Sequence, residues 1–348
     1  MALLNSPDML PEAMRFLVRA LLAVGGGPFP RQELLNLVSP PGLSAAMEPL
    51  GGAYAHEAVN PAEDDEPDSI EDEDDQTTDT APGKQRTGGA VIATQSLLAL
   101  KTLGLVTLEK KQVSLASTAS ELWSRPIEVT PTAFRAFLLD NVFRLSDPTA
   151  SPGDRNDVND LVQAVELVYA ADRPLQPFAR FISANLERGF RELQVSTFGD
   201  DNKLWPVRNE TRWTAFCRWS FYLGLTGQAG DSGVIADASI ALKIRLGRLP
   251  QGVYDAGAFV EHCADAVPLL DGGALQRRFI PELSGATRVL SPALSISLLQ
   301  MEADGAVKLT QKSDTGVYVV RLHTDQSGDR AFTSVEWLAD NEDRRSRA

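Results

Sequence analysis

The chain has 348 residues, 43% hydrophobic and 23% charged, with a formal net charge of −14 and two cysteines. That length and balance describe a globular chain with room for two or three cores. They exclude a membrane span, because the longest apolar run, Phe16 to Val24, is interrupted by Arg19 and falls short of the roughly 18 residues required. They also exclude a disulfide framework, since Cys217 and Cys263 each sit in a helical pattern.

In chain order, the start MALLNSPDMLPEAMRF lacks the basic, apolar and small-residue succession of a secretory signal, so the cytoplasm is the expected compartment. Pro11 followed by Met14, Leu17, Val18, Leu21 and Leu22 predicts a first helix, with proline at its start. GGGPFP at Gly25 to Pro30 stops it, RQELLNLV at Arg31 to Val38 predicts a short second helix, and SPPG at Ser39 to Gly42 ends that one.

From about 43 to 87 the chain is poor in apolar residues. Residues 62 to 80, AEDDEPDSIEDEDDQTTDT, hold eleven carboxylates and no Lys or Arg. Such a segment cannot bury enough apolar surface to offset the entropy of ordering, so it is read as a disordered acidic insertion. Between Gln32 and Gly83 there are fourteen carboxylates and no basic residue, and setting them aside leaves 33 acidic residues against 33 Lys and Arg. The acidity therefore belongs to one segment, and the remainder is formally neutral.

GGAVIATQSLLALKTLGLV, with Val91, Leu97, Leu98, Leu100 and Leu103, predicts a third helix closed by Gly104, and VTLEKKQVSL alternates around EKKQ as a hairpin. Three helices and a hairpin is the order of a winged helix-turn-helix. Ser96 to Lys111 aligns without a gap on Ser297 to Lys312, with seven of sixteen positions identical, which predicts a second copy. Its wing strand is expected in DTGVYVVRLH, where Val317, Val319 and Arg321 alternate with Tyr318, Val320 and Leu322. Its earlier helices are expected in YDAGAFVEHCADAVPLL and ALQRRFIPELS.

The middle is read as helical. VNDLVQAVELVYAAD puts Val158, Leu161, Val162, Val165 and Val168 on one face. The aromatic cluster Trp205, Trp213, Phe216, Trp219, Phe221 and Tyr222 reads as core ahead of a base-stacking surface, which would interleave exposed rings with basic residues.

Chemistry is weakly signalled. No GxxxxGK[ST] or GxGxxG follows a strand, and His56, His262 and His323 are far apart, with only His262 beside a cysteine. No cofactor and no metal site is expected. A Cys217/His262 nucleophile pair is outweighed by the reading of a lone cysteine as a small core residue. DNA contact has better support: Lys84 and Arg86 precede the third helix, Thr94, Gln95 and Lys101 lie on it, and Lys110 and Lys111 mark the wing tip. Glutamine can read adenine and lysine can hold phosphate. The second copy carries Glu302 and Asp304 on its helix, with Lys308 and Lys312 at its wing, and reads as the protein-contacting copy.

The opening MALLNSPDMLPEAMRFLVRALLAVGG and the later RTGGAVIATQSLLALKTLGLV resemble the DpdG family, found in bacterial gene clusters that place 7-deazaguanine derivatives in DNA and restrict unmodified DNA. The resemblance implies a cytoplasmic accessory protein of a phage-defence complex whose nuclease and helicase activities reside on other subunits. It transfers no catalytic residue.

The expectation is a mainly α chain with small β-hairpins (α+β): a winged helix-turn-helix at 1–117 carrying the insertion at about 43–87, a helical middle at 118–230, a second winged-helix-like domain at 231–340 and a flexible tail at 341–348. Its expected function is non-enzymatic, as a DNA-associated or adaptor component contacting DNA and other proteins of a defence complex, possible as a homodimer and without membrane contact. The alternatives are a dimeric transcriptional regulator and, behind it, an unrecognised hydrolase. The insertion is either a solvated loop or a mimic of DNA phosphate that competes for the same lysines.

Overall fold

Helix α1 (Pro11–Ala23) buries Met14, Leu17, Val18 and Leu21 of the stripe expected of it, while Leu22 is half-buried. It ends where Gly25 and Gly26 take positive φ, 95° and 71°, so that the Gly26 amide reaches back to the Leu21 carbonyl at 2.8 Å and the Gly25 amide to Leu22 at 3.1 Å. Only glycine adopts that pair of conformations without strain. Strand β1 (Phe29–Pro30) runs directly into α2 (Arg31–Val38). The third helix, α3 (Gly88–Thr102), is followed by β2 (Val106–Glu109) and β3 (Gln112–Leu115), whose connection is Lys110 and Lys111. The sheet order is β1-β3-β2, with Val113 opposite both Phe29 and Leu108. Buried Ser96 of α3 accepts the Leu10 amide at 3.1 Å, fixing α3 against the start of α1.

The computed structural model describes residues 3–39, 88–150, 158–171, 178, 189–229, 233–276, 288–312, 316–321 and 328–338. The insertion at about 43–87, Lys84, Arg86, His56, His323, most of ALQRRFIPELS and the tail at 341–348 lie outside them.

The middle holds α4 (Ser117–Leu122), α5 (Pro131–Leu145), α6 (Asn159–Ala170), α7 (Phe190–Phe198) and α8 (Glu210–Leu223), then the two-stranded ribbon β4 (Gly227–Ala229) and β5 (Gly233–Ile235). The aromatic run is core: Trp205, Trp213, Phe216 and Trp219 are buried, while Phe221 and Tyr222 pack half-buried at its edge. Phe190 of α7 lies 5.6 Å from Phe216 and 5.1 Å from Trp213 between ring centres. Such pairs add to the area term about 0.5–1.5 kcal/mol each.

Helix α6 departs from the one-faced reading. Its polar residues Asn159, Asp160, Gln163 and Glu166 are buried along with its valines. Apolar periodicity identifies the face that packs first and is blind to neighbours that cover the other. Asp160 pairs with Arg212 of α8, itself buried. A 3-10 turn at Leu3–Asn5, which the helical spacing did not announce, buries Leu3 and Leu4 against α6 and α8.

The C-terminal part contains α9 (Ser239–Leu246), β6 (Gly252–Asp255), α10 (Ala256–Ala266), β7 (Arg288–Val289), α11 (Pro292–Ala303), β8 (Val307–Thr310), β9 (Tyr318–Val320), β10 (Arg330–Phe332) and β11 (Ser334–Trp337). The sheet β6-β11-β8 repeats β1-β3-β2: β6 leads directly into α10 as β1 leads into α2, and the central strand comes last. Register agrees residue by residue, for Val335 faces Tyr254 and Leu309 as Val113 faces Phe29 and Leu108. Helix α9 packs on α10 and α11 as α1 packs on α2 and α3.

This correspondence shifts the expected frame by one helix. The first helix of the C-terminal repeat is α9, not the segment containing α10, because the strand that precedes α10 fixes its place. The strand expected in DTGVYVVRLH also differs. β9 does not pair with β8; it is the middle strand of a separate sheet, β10-β9-β7. Tyr318, Val319 and Val320 are all buried, so the alternation of a half-exposed wing strand is absent. Asp271, buried, accepts the Ser291 amide at 2.8 Å and the Ser291 hydroxyl at 2.5 Å, anchoring the start of α11. Burial pushes its carboxyl up, against those bonds.

The buried apolar residues form one cluster from Leu3 to Trp337, and α5 packs on both α1 and α9, so packing crosses the positions 117 and 230. Gly224, which ends α8 with φ 69°, marks one tight joint: a Cβ there would lie 2.6 Å from Ile240 Cβ and 3.0 Å from the Ala241 amide. Gly224→Ala combines left-handed strain with overpacking and is expected to destabilise the fold by about 2–4 kcal/mol, read as a lowered denaturant midpoint at unchanged slope.

Candidate nucleic-acid interface

The residues singled out at the N-terminal end divide by what surrounds them. Lys110 and Lys111 form the tip of the β2–β3 hairpin, both exposed, with Lys110 held at φ 54°. Lys101 is exposed in the last turn of α3, where a cation is also favoured by the helix dipole. Thr94 donates its hydroxyl to the Ala90 carbonyl at 2.8 Å, within its own helix. Gln95 is partly buried, and its side-chain oxygen is enclosed without a hydrogen-bond partner among the described residues. Of this pair, then, the threonine hydroxyl is already committed and the glutamine presents no open carbonyl edge.

The fold adds a cation that sequence reasoning missed. The Arg31 amide, at the start of α2, donates to the Lys111 carbonyl at 2.8 Å, so Arg31 joins Lys110 and Lys111 in one corner. Nothing local links it to the hairpin; the signal is the antiparallel pairing of β1 with β3. Among the described residues none of Arg31, Lys101, Lys110 and Lys111 is held in an ion pair. Exposed Glu33 and Glu109 temper the corner's charge. Unpaired lysines exposed at a turn, with half-buried Arg31 beside them, suit phosphate, since no ion pair has to be broken before contact.

The C-terminal repeat differs in the same positions. Its helix α11 carries Glu302 where α3 carries Lys101 and Ser295 where α3 carries Thr94. Glu302 accepts from Arg330 Nη2 at 2.9 Å and from the Leu309 amide at 3.0 Å. Burial raises its carboxyl pKa, but these bonds outweigh that and hold it below the ordinary value.

Burial pushes the Cys217 thiol up to about 12 and the Cys263 thiol higher still, the opposite of an activated thiolate. His262 rests edge-on against Tyr254, ring centres 5.6 Å apart. Among the described residues no three His, Cys, Asp or Glu side chains gather as a metal site, and no helix is long and apolar enough to cross a membrane. A cavity of about 320 Å³ is lined by Arg245, Arg248, His262 and Asp265. Its Arg245 is engaged with Asp140 and lies over Phe143, 5.6 Å from the ring centre, which ties α9 to α5. An apolar groove of about 260 Å³ lies between α1 and α3, with Phe16 and Ile92 in its lining.

No curated protein and no solved structure matches the chain. The DpdG-like family model matches residues 1–315. That stretch takes in the N-terminal helices and hairpin, the middle helices and the C-terminal repeat as far as β8. With nine-tenths of its length covered by the family model, the chain belongs to the DpdG-like family.

Proposed function

We propose that the chain is a non-enzymatic, DNA-contacting accessory of a bacterial 7-deazaguanine DNA modification and restriction system, acting in the cytoplasm beside other proteins of that system. In this reading the N-terminal part is a winged helix, α3 its groove-facing helix and β2–β3 its wing. Family membership supports the system. The observation that carries the DNA contact is the corner where Arg31 meets Lys110 and Lys111 of the hairpin tip, all three unpaired among the described residues. The order α1-β1-α2-α3-β2-β3 with sheet β1-β3-β2 accords with that motif.

A dimeric transcriptional regulator would use the same elements, and footprinting separates the two. An accessory protein contacts mainly phosphate and protects no single short sequence, while co-purifying with products of neighbouring genes. One discrete protected operator, with no such partners, would favour the regulator. A cut in modified or unmodified duplex when divalent metal is added would contradict the non-enzymatic assignment.

A further inference from the structure

The two repeats share register, strand order and helix packing, so their third helices present comparable faces. In the N-terminal repeat α3 holds Thr94, whose hydroxyl stays within its own helix, and exposed Lys101, which is in no ion pair among the described residues. In the C-terminal repeat the chain between β8 and its partner β11, residues 311–333, is expanded into β9 and β10, and these join β7 in a sheet that packs on α11. The contacts fall on the equivalent positions. Ser295, at the place of Thr94, accepts the Arg321 amide at 3.0 Å, and Glu302, at the place of Lys101, is paired with Arg330 of β10.

Four cations of this repeat are also engaged. Lys243 pairs with Asp304 at 2.7 Å, Arg321 with Asp329 at 2.7 Å, Arg330 with Glu302, and Arg245 with Asp140. An ion pair must be broken before its cation can neutralise phosphate, and a carboxylate on the approaching helix adds repulsion.

We infer that the face of α11 is a protein-docking seat filled by the chain's own β7-β9-β10 sheet, so that of the two repeats the N-terminal one is left to contact phosphate. The inference rests on the DNA-contacting reading above and adds a division of labour: one repeat with its helix open, one with it sealed. Lys308 and Lys312, although exposed at β8 and just beyond it, then lie on a wing whose helix cannot enter a groove.

Paired charge reversals in the full-length protein test this. Lys308→Glu with Lys312→Glu is expected to change duplex affinity less than about twofold and to leave its salt dependence intact. Lys110→Glu with Lys111→Glu is expected to weaken binding by at least about tenfold and flatten that dependence. All four lysines are exposed, and thermal melts of both variants check that neither has lost its fold. An equal loss from the two pairs overturns the sealed-repeat inference while leaving DNA contact standing. Absence of duplex binding by the unaltered protein overturns both.

Discussion

Reversing the two charges at the hairpin tip, Lys110→Glu and Lys111→Glu, is expected to lower affinity for duplex DNA on the order of 10- to 100-fold near physiological salt. The logarithmic salt dependence should flatten by about two for two lost phosphate contacts, since each neutralised phosphate contributes roughly 0.9 to the slope. The effect should be nearly uniform across sequences, because phosphate contacts position a protein and carry no sequence information directly. Arg31→Ala should act in the same direction with about half the change in slope, a consequence of its place beside Lys111. Fluorescence anisotropy across a salt series measures both quantities. An unchanged slope would detach the corner from DNA.

The largest effect on stability is expected at the buried pair of Arg212 and Asp160. Arg212→Ala leaves the Asp160 carboxylate enclosed without its guanidinium, and breaking a buried pair from one side costs about 3–5 kcal/mol. That is a large fraction of the 5–15 kcal/mol by which a folded domain is usually stable, on the order of a third or more. Replacing both members by apolar residues of similar size, Arg212→Met with Asp160→Leu, should recover most of the loss because neither charge is then stranded. Equilibrium denaturation of the single and double variants separates the outcomes. A single variant within about 1 kcal/mol of the parent would mean that water or rearrangement relieves Asp160.

What the sequence made legible is what local chemistry decides. The proline start of α1, its glycine stop, α2 at Arg31–Val38 and the hairpin around Lys110 and Lys111 each depend on residues within a turn or two, and the fold has them at those places. The gapless alignment of Ser96 to Lys111 on Ser297 to Lys312 agrees with the strands it spans, since the register of β8 with β11 matches that of β2 with β3. What escaped depends on distant partners. Arg31 belongs with the hairpin only because β1 pairs with β3, and α9 replaces α10 as first helix of the repeat only because β6 pairs with β11. Val317 to Leu322 alternates on paper, yet β9 is the middle strand of a second sheet that packs on α11, and Tyr318, Val319 and Val320 are all buried. For α6, valine spacing marked one side and gave no sign that Asp160, Gln163 and Glu166 would also be covered.

Photo-crosslinking of the intact protein to duplex DNA, with the attached peptides identified by mass spectrometry, tests the central claim most directly. The predicted result is attachment at peptides containing Arg31, Lys101, Lys110 and Lys111, diminishing as salt is raised, with none at Lys308 or Lys312. Attachment confined to the C-terminal repeat, or none at any salt concentration, would contradict it.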